Sequence, residues 1–127
     1  MSVKYVLTER GNPLKPEDPK KWYAHAKSAG EITLKQLSED IAQRSTVNYA
    51  DTLAVLEALT QVLSMRLSEG LIVRFSDFGS FQISVGSKGA ETADKFTSSL
   101  ITSKKVIFRP GVDIKTMLNN LTFQKIS

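Results

Sequence analysis

The sequence has no cysteine, one histidine and one tryptophan in 127 residues. Without cysteine there are no disulfides and no thiolate zinc ligands, which fits a reducing compartment. His25 has no second histidine and no spaced carboxylate cluster to work with, so neither a metal site nor a catalytic centre is expected. Glu39-Asp40 reads as a solvated helix face rather than a pair for acid–base work. No glycine-rich loop precedes a helix, which removes the usual phosphate cradle. No apolar run approaches the roughly 20 residues a membrane-spanning helix needs. The opening Met-Ser-Val-Lys-Tyr leads into no apolar signal segment. The expectation is a cytoplasmic protein that is not an enzyme, with no cofactor, no small-molecule substrate and no membrane partner.

The chain does have an ordinary globular balance, 41% hydrophobic and 24% charged, so it need not be disordered. Its length suggests one domain, able to bury roughly two thirds of its unfolded surface. The net charge of +4 is unevenly spread. Residues 1–30 carry +3, residues 31–70 carry −3 and residues 71–127 carry +4. An acidic middle followed by a basic half points weakly to a polyanion partner.

Residues 1–30 read as an accessory extended segment. Val3, Tyr5 and Leu7 alternate with Lys4, Val6 and Thr8, and Trp22, Ala24 and Ala26 alternate with Tyr23, His25 and Lys27. Gly11-Asn12-Pro13, Pro16 and Pro19 interrupt the two strands. Thr33, with Gln36 three residues later and Ile32 and Leu37 around it, signals a helix start. That helix should end near Arg44 or Ser45. Asn48 and Asp51 open a second helix running to about Glu69. Leu53, Leu56, Leu59 or Thr60, Leu63 and Leu67 form one stripe on it, and Val55, Ala58, Val62 and Met65 widen that stripe past half the circumference. So wide an apolar arc needs partners on two sides, and a second copy of the chain can supply one of them.

Gly70 is placed to stop the helix. Leu71, Val73 and Phe75 then alternate with Ile72, Arg74 and Ser76 as a strand, Ser76-Asp77-Phe78-Gly79 carries turn chemistry, and Ser80–Val85 returns. A polar stretch from Gly86 to Ser103 follows, then a strand to Phe108 and a turn at Arg109-Pro110-Gly111. A short helix over Asp113–Asn120 precedes a last possible strand over residues 122–127, which can pair with the first.

Phe78-Gly79-Ser80-Phe81 and Phe108-Arg109-Pro110-Gly111, in this order of elements, resemble the HU/IHF family of bacterial histone-like DNA-binding proteins. The likeness covers about Ile32 to Asn120, and the longer N-terminus resembles HU-related variants of Bacteroides-type bacteria. The resemblance implies an α+β fold: a helical base, an antiparallel saddle sheet and a protruding β-arm, in an intertwined homodimer. Residues 31–121 would be the HU-like domain, with the arm at about 82–107 and residues 1–30 an added β segment. Leu56, Leu63, Phe75, Phe78, Phe81 and Phe108 would lie in the core or the dimer interface.

The implied partner is double-stranded DNA, bound without sequence specificity by a nucleoid-associated protein. Lys88, Lys95, Lys104, Lys105, Arg109 and Arg74 are the candidate contacts, through phosphates. The arm departs from the family pattern. Its tip, Gly89-Ala90-Glu91-Thr92-Ala93-Asp94-Lys95, has no proline and two acids, and the arm's net charge is only +2. An alternative therefore stands beside DNA binding: a protein-interaction or scaffold module that kept the fold. A peptidoglycan- or surface-associated module ranks last.

Overall fold

The computed structural model describes residues 1–126; of the expected last strand, Ser127 lies outside the described residues. In chain order the elements are β1 (Val3–Arg10), β2 (Lys21–Lys27), α1 (Leu34–Gln43), α2 (Tyr49–Ser68), β3 (Val73–Arg74), β4 (Gly79–Ser87), β5 (Ile101–Pro110), α3 (Val112–Asn119) and β6 (Phe123–Lys125). They make an α+β protein with two three-stranded sheets. Two compact units share the chain: residues 1–33 with 117–127, and residues 34–116.

In the first unit, β1 lies between β2 and β6. It pairs antiparallel with β2 and parallel with β6, so the sheet is mixed. The last strand does pair with the first. Alternation sorts the sheet's side chains. Tyr5 and Leu7 share one face with Ala26, Ala24 and Phe123. Lys4, Val6, Thr8 and Arg10 share the other with Lys27, His25, Tyr23 and Lys21.

In the second unit, α1 packs against α2. Helix α1 begins directly after Thr33, where the capping signals put its start. Ser38 and Thr52 are buried, and their hydroxyls donate to the carbonyls of Leu34 and Asn48 at 2.8 Å, so their burial strands no donor. At the start of α2 the Asn48 side chain accepts from the Asp51 amide at 2.8 Å, the expected cap. At its end Gly70 has φ +80°. Its amide donates to Leu67, and the Leu71 amide donates to Arg66. This is the Schellman arrangement that satisfies the last carbonyls.

Several expected boundaries change. The strand expected over Leu71–Phe75 shrinks to Val73–Arg74 because the chain turns early. The Phe78 amide donates to Phe75 at 2.9 Å and the Phe75 amide to Gly79 at 2.8 Å, with Ser76 at φ +48°. Arg109 and Pro110 are not a turn: they end β5, paired with Ser80 and Gly79. Proline is tolerated at a strand end on the sheet edge. The long polar stretch is partly strand, since β4 reaches Ser87 and β5 starts at Ile101, with a register shift between Gly86 and Ser87. Single 3₁₀ turns at Ala93–Lys95 and Ser98–Leu100 fold the connection between them.

Phe75, Phe78, Phe108 and Phe81 close a four-ring cluster, with centroids 5.0 to 6.0 Å apart. These are favourable edge and tilted contacts. Yet Phe78 is 44% and Phe108 38% exposed, and Leu67 is the one buried hydrophobic residue among those described. Leu53, Leu56 and Leu63 are half-buried, whereas Val55, Leu59, Val62 and Met65 on the widened stripe are exposed. The chain exposes 10750 Å². Two separately folded units of 44 and 83 residues would together expose only about 8,000 Å².

Candidate nucleic-acid interface

The sheet β3-β4-β5 sets its side chains by register. Val73, Phe81 and Phe108 are cross-strand neighbours, and Ile83 with Val106 and Val85 with Lys104 continue that face outward. The opposite face carries Arg74, Ser80 and Arg109 in one cross-strand row, then Gln82 with Ile107 and Ser84 with Lys105. One face is therefore aromatic and aliphatic. The other is basic and hydroxyl-rich.

On the basic face Ser80 lies between Arg74 and Arg109, which puts the two arginine backbones roughly 10 Å apart. Lys105 lies four residues from Arg109 on β5, about 13 Å along the strand. Arg74, Ser80 and Arg109 also line an open hollow of about 240 Å³, together with Gly79 and Gly111. Neither arginine is ion-paired among the described residues. Two guanidinium forks flanking a hydroxyl suit phosphate oxygens, because an arginine can donate two parallel hydrogen bonds to one phosphate.

The six cations singled out from the sequence fall into three groups. Arg74, Arg109 and Lys105 meet on the basic face. Lys104 is next to Lys105 but points the other way, sharing the face of Val85. Lys88 and Lys95 lie in the connection beyond the strands. The Lys88 amide donates to Leu100 at 2.8 Å, which closes the base of that connection. Lys95 pairs with Glu91 at 3.3 Å, an exposed contact that offsets its charge.

Sequence reading missed Ser80, Gln82 and Ser84 as members of this face. The signal was present in their alternation with Phe81, Ile83 and Val85. What was absent from the one-dimensional pattern is the register that seats them opposite Arg109, Ile107 and Lys105. His25 accepts from Arg10, Nη2 to Nε2, at 2.9 Å. No group of three or more potential metal ligands occurs among the described residues. No helix of the structure is long and apolar enough to cross a membrane.

The second unit is an antiparallel three-stranded sheet with one basic face, contacted by α2 of the packed pair α1 and α2. The family model described as "HU domain fused to wHTH, Ig, or Glycine-rich motif" matches residues 1–125. The integration host factor subunit alpha of Paramagnetospirillum magneticum is 32% identical over 91 residues, 70% of this chain and 86% of that protein. The chain belongs to the HU/IHF family of bacterial nucleoid-associated proteins, whose members are architectural DNA-binding proteins and not enzymes. A crystal structure from Bacteroides vulgatus, described as that of "a Putative bacterial DNA binding protein" and determined at 2.25 Å, superposes with a TM-score of 0.66. It is 11% identical, so that likeness concerns the fold. The match covers 98% of this chain and 48% of that one, so the chain spans about half the length of that structure.

Proposed function

We propose that this chain is a non-sequence-specific architectural DNA-binding protein that acts as a homodimer. The observation that carries the reading is the Arg74–Ser80–Arg109 row, continued by Lys105, on one face of β3-β4-β5. These groups grip phosphate and carry no pattern for reading base edges. The hairpin β4-β5 and its 3₁₀ connection serve as the arm. Its tip has no proline to wedge between base steps, so bending relies on electrostatic contact more than on intercalation. Family membership supports the same reading.

The dimer is supported by the exposed apolar surface. Val55, Leu59, Val62 and Met65 on α2 are 40 to 64% exposed, and Phe78 and Phe108 of the aromatic cluster are half open. So many large apolar side chains left open are unusual on a monomer. A symmetric partner copy covers it most simply.

A second reading, an interaction or scaffold module with little DNA affinity, draws on the Lys95–Glu91 pair, which cancels charge where an arm would meet DNA. Titrating duplex DNA at several salt concentrations separates the two. DNA binding predicts a log–log slope of about −5 to −5.5 from the arm and saddle if half of their twelve candidate cations per dimer engage. No binding at low salt by a chain that is dimeric in light scattering selects the scaffold.

A further inference from the structure

We infer that the sheet β2-β1-β6 carries a second DNA-binding surface, built from Lys4, Arg10, Lys21 and Lys27. The inference rests on the reading above only for the identity of the polyanion. Its geometry is independent of the β4-β5 hairpin.

The four cations share one face because the register pairs Lys4 with Lys27 and Arg10 with Lys21. The one acid within the three strands, Glu9, alternates onto the opposite face, across from Trp22. All four cations are exposed, and among the described residues none is ion-paired. Like charges directly opposite each other destabilise a sheet. This face carries two such pairs, one toward each end, with no anion between them. A polyanion laid across the sheet relieves both.

Between the charged pairs lie Thr8 with Tyr23, Val6 with His25, and Gln124 beside Lys4. Lysine, arginine, threonine, tyrosine and glutamine are the side chains that donate to phosphates and sugars on duplexes. Arg10 is held over this row by its 2.9 Å hydrogen bond to His25. Its end of the face opens into a hollow of about 570 Å³ lined by Arg10, Asn12, Asp18, Lys21 and Tyr23. The single acid there, Asp18, lies in the β1–β2 connection. From Lys4 to Arg10 the strand runs about 20 Å, which matches roughly a dozen phosphate charges along a duplex axis. A long row of cations at both ends of one face fits a periodic polyanion better than a single small anion.

The test uses the full chain, a mixed-sequence duplex and fluorescence anisotropy at several salt concentrations. Three proteins are compared: wild type, the sheet variant Lys4→Gln/Lys21→Gln/Lys27→Gln, and the hairpin variant Lys105→Gln/Arg109→Gln. The sheet variant should bind with a slope shallower by about 2.5 to 3 for each chain engaged. A fourth protein, Lys27→Glu, puts a carboxylate opposite Lys4. It should melt at a higher temperature than wild type and still bind DNA more weakly, a combination that loss of folding cannot produce. Unchanged slope and affinity in the sheet variant and in Lys27→Glu, with the hairpin variant impaired, overturn this surface and leave the proposed function standing. No duplex binding by wild type at low salt overturns both. Tighter binding of wild type to poly-glutamate or to anionic lipid vesicles than to duplex, lost in the sheet variant, overturns the assignment to DNA.

Discussion

Gly111 approaches Asp77 so closely that a β-carbon on it would overlap the Asp77 carbonyl group. The Gly111 amide donates to Phe78 at 2.9 Å, and the Asp113 amide donates to Asp77 at 3.0 Å. The turn after β3 thus caps the first turn of α3. The same corner needs Gly79, whose β-carbon would lie 2.5 Å from the Arg109 carbonyl oxygen and 2.7 Å from the Phe108 ring. The two glycine-bearing motifs are two halves of one backbone junction. Gly111→Ala should destabilise the chain by about 2 to 4 kcal/mol, since the opposing atoms are backbone and cannot move aside. Urea unfolding measures it. A loss below about 0.5 kcal/mol would mean that the junction is looser than described.

Ser76 holds φ +48° with a side chain that disfavours it. Ser76→Gly should raise stability by about 1 kcal/mol, because a non-glycine residue in this region carries a steric cost of that order. A gain in the unfolding midpoint, with unchanged steepness, is the expected outcome.

Asn48 caps α2 through the Asp51 amide. Asn48→Ala should cost about 1 kcal/mol, and Asn48→Asp should keep most of the cap. The comparison in thermal unfolding separates loss of the acceptor oxygen from loss of the amide, whose 3.2 Å contact to the Asp51 carboxylate is the weaker of the two.

Much of this architecture was legible in the sequence, for local reasons. Asn48 with Asp51, Gly70 after a long apolar stripe, and the alternation from Ser80 to Val85 each encode their element within a few residues. Three features were not legible. The strand expected to Phe75 stops at Arg74 because the turn hydrogen bonds reach back to Phe75, a pairing that alternation does not reveal. Arg109-Pro110-Gly111 looked like a turn because proline and glycine usually mark one. Here the proline closes a strand and the glycine makes room for Asp77. Lys104 and Lys105 looked equivalent side by side, although adjacent strand residues face opposite ways.

That last difference predicts an asymmetry between neighbours. Lys105→Gln should make the salt slope of DNA binding shallower by about 0.9 per chain. Lys104→Gln, on the face of Val85 and Ile83, should change it less. Equal effects would mean that DNA contacts both faces of the hairpin.

Val62 is 48% exposed on the open stripe of α2. Val62→Asp should shift the protein from dimer toward monomer in light scattering, because a carboxylate buried without a partner at an apolar interface costs several kcal/mol. A dimer that persists at low concentration would move the proposed interface elsewhere.

The parallel pairing of β6 with β1 seats Phe123 beside Val3, and the Thr122 hydroxyl donates to the Met1 carbonyl at 3.0 Å. On a ribosome, β1 and β2 can meet as soon as both have emerged. The third strand of their sheet arrives only after nearly a hundred further residues have been made. Until then β1 has an unpaired edge, open to any extended segment nearby, including the β1 of another nascent chain. The hairpin is local and quick to form, whereas its completion is a long-range and comparatively slow closure. A chain stalled before Phe123 would have every residue of its central helices and hairpin, yet leave this sheet unfinished.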